Sequence, residues 1–130
     1  MRLLIDTHIL LWWDARPSSI APLLIAPMRD EETEIFVSAA SVWEIAIKRA
    51  AGRLVFRAKI AQTISAHGFG LLPITGEHAE HAGNLPRHHG DPFDRMLVAQ
   101  AALEDMVLGT QDPKIAPYGI ALLGLSAGRA

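Results

Sequence analysis

The chain has 130 residues, half of them hydrophobic, a formal net charge of −2 and no cysteine. That length and apolar content suit one domain with a solid core, and the lack of cysteine excludes disulfides and thiolate metal sites. No global basic field draws in nucleic acid, although a bound cation would reverse the sign of a local site.

Met1-Arg2 lead directly into Leu3-Leu4-Ile5, three consecutive apolar residues of the kind that form a parallel strand buried on both faces. Asp6 and Thr7 end the run, and in open α/β sheets ligands bind just beyond the carboxyl ends of the strands. A start this polar, with Asp14 soon after Asp6, resembles neither a signal peptide nor a membrane span, so a cytoplasmic protein is expected. Residues 8–13 predict a short apolar helix, and Arg16-Pro17-Ser18-Ser19 a turn. Residues 20–29 read as a helix in which Pro22 fits the first turn and Pro27 should end or kink it. Asp30-Glu31-Glu32 reads as a solvated loop.

Residues 34–38 are β-branched and aromatic and predict a second strand. A helix over 42–51 closes at Gly52, and another over 56–67 stops at Gly68. A third strand over 70–74, a Thr75-capped helix over 75–82 and a turn-rich loop over 84–90 follow. Asp91-Pro92 opens a long helix over 93–104, with Asp91 as its N-cap. A fourth strand over 106–109 runs into Thr110-Gln111-Asp112, and a weak strand over 120–123 leaves a short frayed tail. Strands that alternate with helices predict a mainly parallel sheet covered on both faces, within one domain over 1–130.

Four acids from distant segments converge in that layout. Asp6 and Asp112 follow strands, while Glu44 and Asp94 fall in the first turns of helices whose N-termini face the same rim. Two like charges about 4 Å apart repel by roughly 4 kcal/mol at an effective dielectric of 20, so such a group needs protonation or a shared cation. Oxygen donors without cysteine suit Mg²⁺ or Mn²⁺, which can activate a water against a phosphodiester. Thr7 and Thr110 have the size to orient that water. Structural readings stand beside this one. Ser41 to Glu44 fits a capping box, Asp94 suits a helix dipole, and Asp112-Pro113 fits a turn.

His88 and His89 could touch metal or phosphate, but in a Gly- and Pro-bounded loop the solvated reading is favoured. Arg95 and Lys48 are candidate RNA contacts, with Lys48 equally suited to a helix-surface pair with Glu44. Arg49, Arg53, Arg57 and Lys59 read as a solvated face before they read as an RNA track. Trp12, Trp13 and Trp43, with Leu10 and Leu11, suit core packing or an apolar surface for a second subunit or a partner helix.

The segments LLIDTHILLWW, VSAASVWEIAIK, HHGDPFDRMLVAQA and VLGTQDPKIAPYG resemble, in that order, the motif blocks of PIN-domain ribonucleases, VapC-like toxins above all. The resemblance spans residues 3 to about 122. It implies a three-layer α/β/α sandwich with a mainly parallel central sheet, and Mg²⁺- or Mn²⁺-dependent cleavage of RNA. Its acids match Asp6, Glu44, Asp94 and Asp112, with Thr110 the partner hydroxyl. On this likeness Asp6, Glu44 and Asp94 hold the principal metal and Asp112 acts as an outer or second-metal ligand. It further implies a cognate antitoxin that blocks the pocket, and a homodimer is expected. Pro22, Pro27 and Gly109 depart from the family's pattern without touching an acid. Two competing readings are a catalytically inactive PIN-like module that binds RNA or protein, and a phospho-accepting receiver domain with Lys114 as its loose lysine candidate. Neither a GxGxxG nor a GxxxxGK[ST] loop is present.

Overall fold

Leu3, Leu4 and Ile5 are all 0% exposed, and the alternation of strand side chains sends them to opposite faces of one sheet. Leu3 and Ile5 join Ile35 and Val37 in one apolar cluster, while Leu4 joins Leu72 and Leu108 in another. A double-sided core of this kind requires helices on both faces, and the computed structural model, which describes residues 1–125, has them.

Strand β1 (Arg2–Ile5) leads to helices α1 (Thr7–Ala15) and α2 (Pro22–Arg29), with a 3-10 turn at Pro17–Ser19 between them. Strand β2 (Glu34–Ser38), helices α3 (Ala39–Ala50) and α4 (Ile60–Ala66) and strand β3 (Gly70–Leu72) follow. Helices α5 (Gly76–Asn84) and α6 (Pro92–Glu104), strand β4 (Val107–Gly109), a 3-10 turn at Pro113–Tyr118 and strand β5 (Leu122–Leu123) complete the order. Ile9 and Leu10 of α1, Leu24 of α2, Ile45 of α3 and Ile64 of α4 pack on the face of Leu3 and Ile5. Leu97 and Val98 of α6, with Ile115, cover the face of Leu4. The expected three-layer α/β/α arrangement is therefore present.

All pairings are parallel, in the order β3-β2-β1-β4-β5. The chain winds outward from β1 to β3 and then restarts on the other side at β4. The order thus reverses between β1 and β4, the kind of crevice where open α/β sheets take ligands. Ile5 pairs with Gly109 there, so Asp6 and Thr110 leave the sheet side by side. A side chain at Gly109 would crowd Leu3, Ile5 and Leu24, all within 3.3 Å of a Cβ, so close packing explains this glycine.

Several elements differ from the sequence expectation. Pro27 lies inside α2, which runs two residues beyond it. The carbonyl it leaves without a helix partner belongs to Leu23, whose side chain is exposed. No helix forms over residues 56–59, because Arg49 reaches across from α3 and donates to the carbonyls of Phe56 and Ala58 at 3.3 and 3.2 Å. Helix α3 begins three residues earlier than expected, with Ser38 as N-cap accepting from the Ala40 N–H at 2.9 Å. Ser41 is thus inside the helix, and Glu44 lies in its second turn, outside any capping box. Ser38→Ala should cost about 1 kcal/mol, since a buried cap is lost; urea denaturation checks it. Most of the expected frayed tail, residues 126–130, lies outside the described residues. No helix among the described residues is long and apolar enough to cross a membrane.

Candidate functional site

Asp6 caps α1 as it leaves β1. Its Oδ1 accepts from the Ile9 N–H at 2.9 Å, and its Oδ2 accepts from the Thr110 hydroxyl at 2.6 Å. Thr110, buried just past β4, accepts in turn from the Asp112 N–H at 3.1 Å. Asp112 caps the following 3-10 turn, its Oδ1 accepting from the Lys114 N–H at 3.0 Å. Its Oδ2 stands 3.3 Å from His89 Nε2, and that nitrogen lies 2.9 Å from Asp94 Oδ2. Asp94 is in the first turn of α6, which Asp91 caps by accepting from the Phe93 and Asp94 N–H groups. One polar chain, Asp6–Thr110–Asp112–His89–Asp94, therefore links acids that arise after β1, after β4 and at the start of α6.

Glu44 stands at the side of this chain. Thr7, next to Asp6, places its hydroxyl 2.6 Å from Glu44 Oε1 and 2.9 Å from Ser41 Oγ, and its one proton serves the carboxylate. Lys48 donates to Glu44 Oε2 at 2.7 Å. Glu44 is 4% exposed, as is Asp6, so both carboxylates depend on these partners in place of water.

Electrostatics bind the three aspartates together. Burial pushes the Asp6 carboxyl up, against the Thr110 and Ile9 hydrogen bonds, and Asp112 adds to the rise. Burial also raises Asp94, to about 6, helped by the charges of Asp91 and Asp6 and opposed by His89. A carboxyl whose folded value exceeds the unfolded one stabilises the fold when protonated. That contribution is complete below about pH 4 and is lost as pH rises through about 6. Metal-free wild type should thus lose stability over this window through Asp94. Asp94→Asn should lose less, which paired denaturation curves at about pH 4 and about pH 7 check.

Among the described residues, one ligand atom from each of His89, Asp94 and Asp112 lies within 4.8 Å of the others. Asp6 and Glu44 are outside that tightest group; Asp6 is linked to it through Thr110, while Glu44 is held by Thr7, the residue next to Asp6. The donors are carboxylate oxygens with one imidazole nitrogen, a set that fits a divalent cation such as Mg²⁺ or Mn²⁺ and has no thiolate. A cleft of about 230 Å³ opens beside them, lined by Asp6, His8, Trp12, Gln111 and Asp112. A second groove, about 550 Å³, runs between α1 and residues 54–58.

His89 departs from the sequence expectation. It is not solvated: its side chain is 11% exposed, and its backbone N–H donates to the Tyr118 hydroxyl at 3.0 Å. His88 is exposed and sits edge-on to Tyr118. Arg95 turns away from the acids, donating to the carbonyls of Ala82, Leu85 and Pro86 at the end of α5. Lys48 is held by Glu44. Leu10 is buried in the core, whereas Leu11 and Trp12 line the larger groove.

The family model described as PIN domain matches residues 3–120. Among solved structures, VapBC2 from Rickettsia felis, bound to a promoter DNA fragment, has a TM-score of 0.64 at 13% identity, covering 94% of this chain and 97% of that one. VapBC-1 from nontypeable Haemophilus influenzae has a TM-score of 0.60 at 20% identity, covering 94% and 96%. VapBC-5 from Mycobacterium tuberculosis, of the VapBC family of toxin–antitoxin systems, has a TM-score of 0.58 at 19% identity, covering 93% and 94%. At these identities the likeness is one of fold. No curated protein matches the sequence.

Proposed function

Because the chain belongs to the PIN-domain family, we propose that it is a metal-dependent endoribonuclease, the toxin of a toxin–antitoxin pair. The observation that carries this reading is the polar chain joining Asp6, Asp112 and Asp94 at the crevice between β1 and β4. Capping alone accounts for one oxygen on Asp6 and one on Asp112, and leaves their other oxygens turned to Thr110 and His89.

In this proposal Asp6, Glu44, Asp94 and Asp112 hold Mg²⁺ or Mn²⁺. Bound there, the cation would offset their repulsion, polarise a phosphodiester and acidify a water. Thr110 holds Asp6 by donating to one oxygen, and Thr7 does the same for Glu44. Each oxygen keeps a second lone pair for a cation. RNA would enter by the cleft past His8, Trp12 and Gln111. Arg95 has its guanidinium occupied by three backbone carbonyls away from the acids. Lys48 gives one of its three donors to Glu44, which makes it the better placed of the two candidate RNA contacts.

The solved neighbours that are complexes of toxin–antitoxin systems support a cognate antitoxin as partner. The groove lined by Leu11, Trp12, Leu54 and Phe56 suits an apolar antitoxin helix. Trp43, 63% exposed and edge-on to Phe93, lies one turn from exposed Ile47 and would serve a homodimer contact.

Purified protein incubated with end-labelled RNA tests the function. Cleavage should appear with Mn²⁺ or Mg²⁺ and vanish with EDTA. RNA binding without cleavage in either metal would favour an inactive PIN-like binding module, and cleavage indifferent to EDTA would remove the metal from the account.

A further inference from the structure

We propose that His89 is a nitrogen ligand of the metal held by Asp94 and Asp112, which makes the centre a mixed nitrogen–oxygen site that prefers Mn²⁺ to Mg²⁺. This rests on the metal-dependent reading above and adds a ligand to its four acids.

The geometry comes first. His89 Nε2 lies 2.9 Å from Asp94 Oδ2 and 3.3 Å from Asp112 Oδ2. Neighbouring ligands of an octahedral ion with bonds of about 2.1 Å stand about 3 Å apart. The separations between the imidazole nitrogen and both oxygens are therefore those of adjacent corners on one coordination sphere. All three ligand atoms lie within 4.8 Å of one another, so small side-chain rotations bring them onto one ion.

The imidazole is also held in place. The loop that carries it docks on the turn that follows Asp112. The His89 N–H donates to the Tyr118 hydroxyl at 3.0 Å, and that hydroxyl donates to the His89 carbonyl at 3.4 Å. His88 packs its ring edge-on to Tyr118, with centroids 5.0 Å apart. A histidine needed only as a counter-charge for Asp94 could approach from solvent; this one is enclosed by a turn that also fixes Asp112.

Without metal, Nε2 hydrogen-bonds Asp94 Oδ2 and faces Asp112 Oδ2. Binding requires that Nε2 present its lone pair, with the ring proton on Nδ1 instead. An imidazole donor suits later first-row ions more than Mg²⁺, which takes oxygen ligands. The nitrogen therefore raises the affinity for Mn²⁺ more than for Mg²⁺.

Electron spin-echo spectroscopy of the Mn²⁺-loaded full chain tests this, because a directly bound imidazole imprints a ¹⁴N coupling on the Mn²⁺ signal. The coupling should be present in wild type, absent in His89→Gln, and unchanged in His8→Gln and His88→Gln. By calorimetry, His89→Gln should weaken Mn²⁺ binding by about tenfold or more and Mg²⁺ binding by less. Mn²⁺ bound to wild type with no ¹⁴N coupling overturns the proposal while the nuclease reading stands. A coupling that persists in His89→Gln overturns it too. Wild type that binds no Mn²⁺ at all would remove both.

Discussion

Asp6→Asn is expected to lower the rate of RNA cleavage by about a thousandfold or more, equivalent to roughly 4 kcal/mol of transition-state stabilisation, while the protein stays folded. Asparagine is chosen because Asp6 has a second duty. Its Oδ1 caps α1 through the Ile9 N–H, and asparagine caps a helix about as well as aspartate. The Thr110 hydroxyl can turn to accept from the new amide, so the buried contact survives. What disappears is one negative charge at the crevice between β1 and β4. The loss of that charge should also relieve the repulsion that Asp6 exerts on Asp94, so the metal-free variant should melt no lower than wild type. Circular dichroism and single-turnover cleavage on the same repurified sample separate the two effects. Full activity in a well-folded Asp6→Asn would take the reaction away from this site.

Leu4→Ala should destabilise the protein by about 3–4 kcal/mol without touching a polar group. Leu4 is fully buried on the middle strand of the sheet and contributes to the cluster built with Leu97, Leu108 and Ile115. Strands lie on both sides of it and α6 lies above it, so the surroundings cannot collapse into the space of the missing methyl groups. The cost should appear as a lower urea midpoint with an unchanged slope. A loss below about 1 kcal/mol would mean that the face covered by α6 is loosely packed.

The same strand explains why so much of the molecule could be read from the chain. A run of three apolar residues ending in Asp6 defines a central parallel strand and its exit point, and the order of strands and helices then constrains the layers. Asp91 and Thr75 are readable as caps because a cap is a local bargain between a side chain and a nearby N–H. The errors arise where contacts are distant in sequence. Residues 56–59 lack helix because Arg49 holds the carbonyls. Helix α3 starts at Ala39 because Ser38 outcompetes Ser41 as cap, which moves Glu44 into the second turn and links it to Thr7. His89 reads as exposed from sequence because its anchor, Tyr118, lies 29 residues away. A usable signal did exist: His89 precedes Asp94 by five residues across an Asp-Pro N-cap, a spacing that folds the loop back over the start of α6.

Anomalous diffraction from crystals soaked in Mn²⁺ bears most directly on the central idea. A peak at the rim where Asp6, Asp94 and Asp112 meet, lost in crystals of Asp6→Asn, is the result expected. Manganese bound only elsewhere on the surface, with that rim empty, would contradict it.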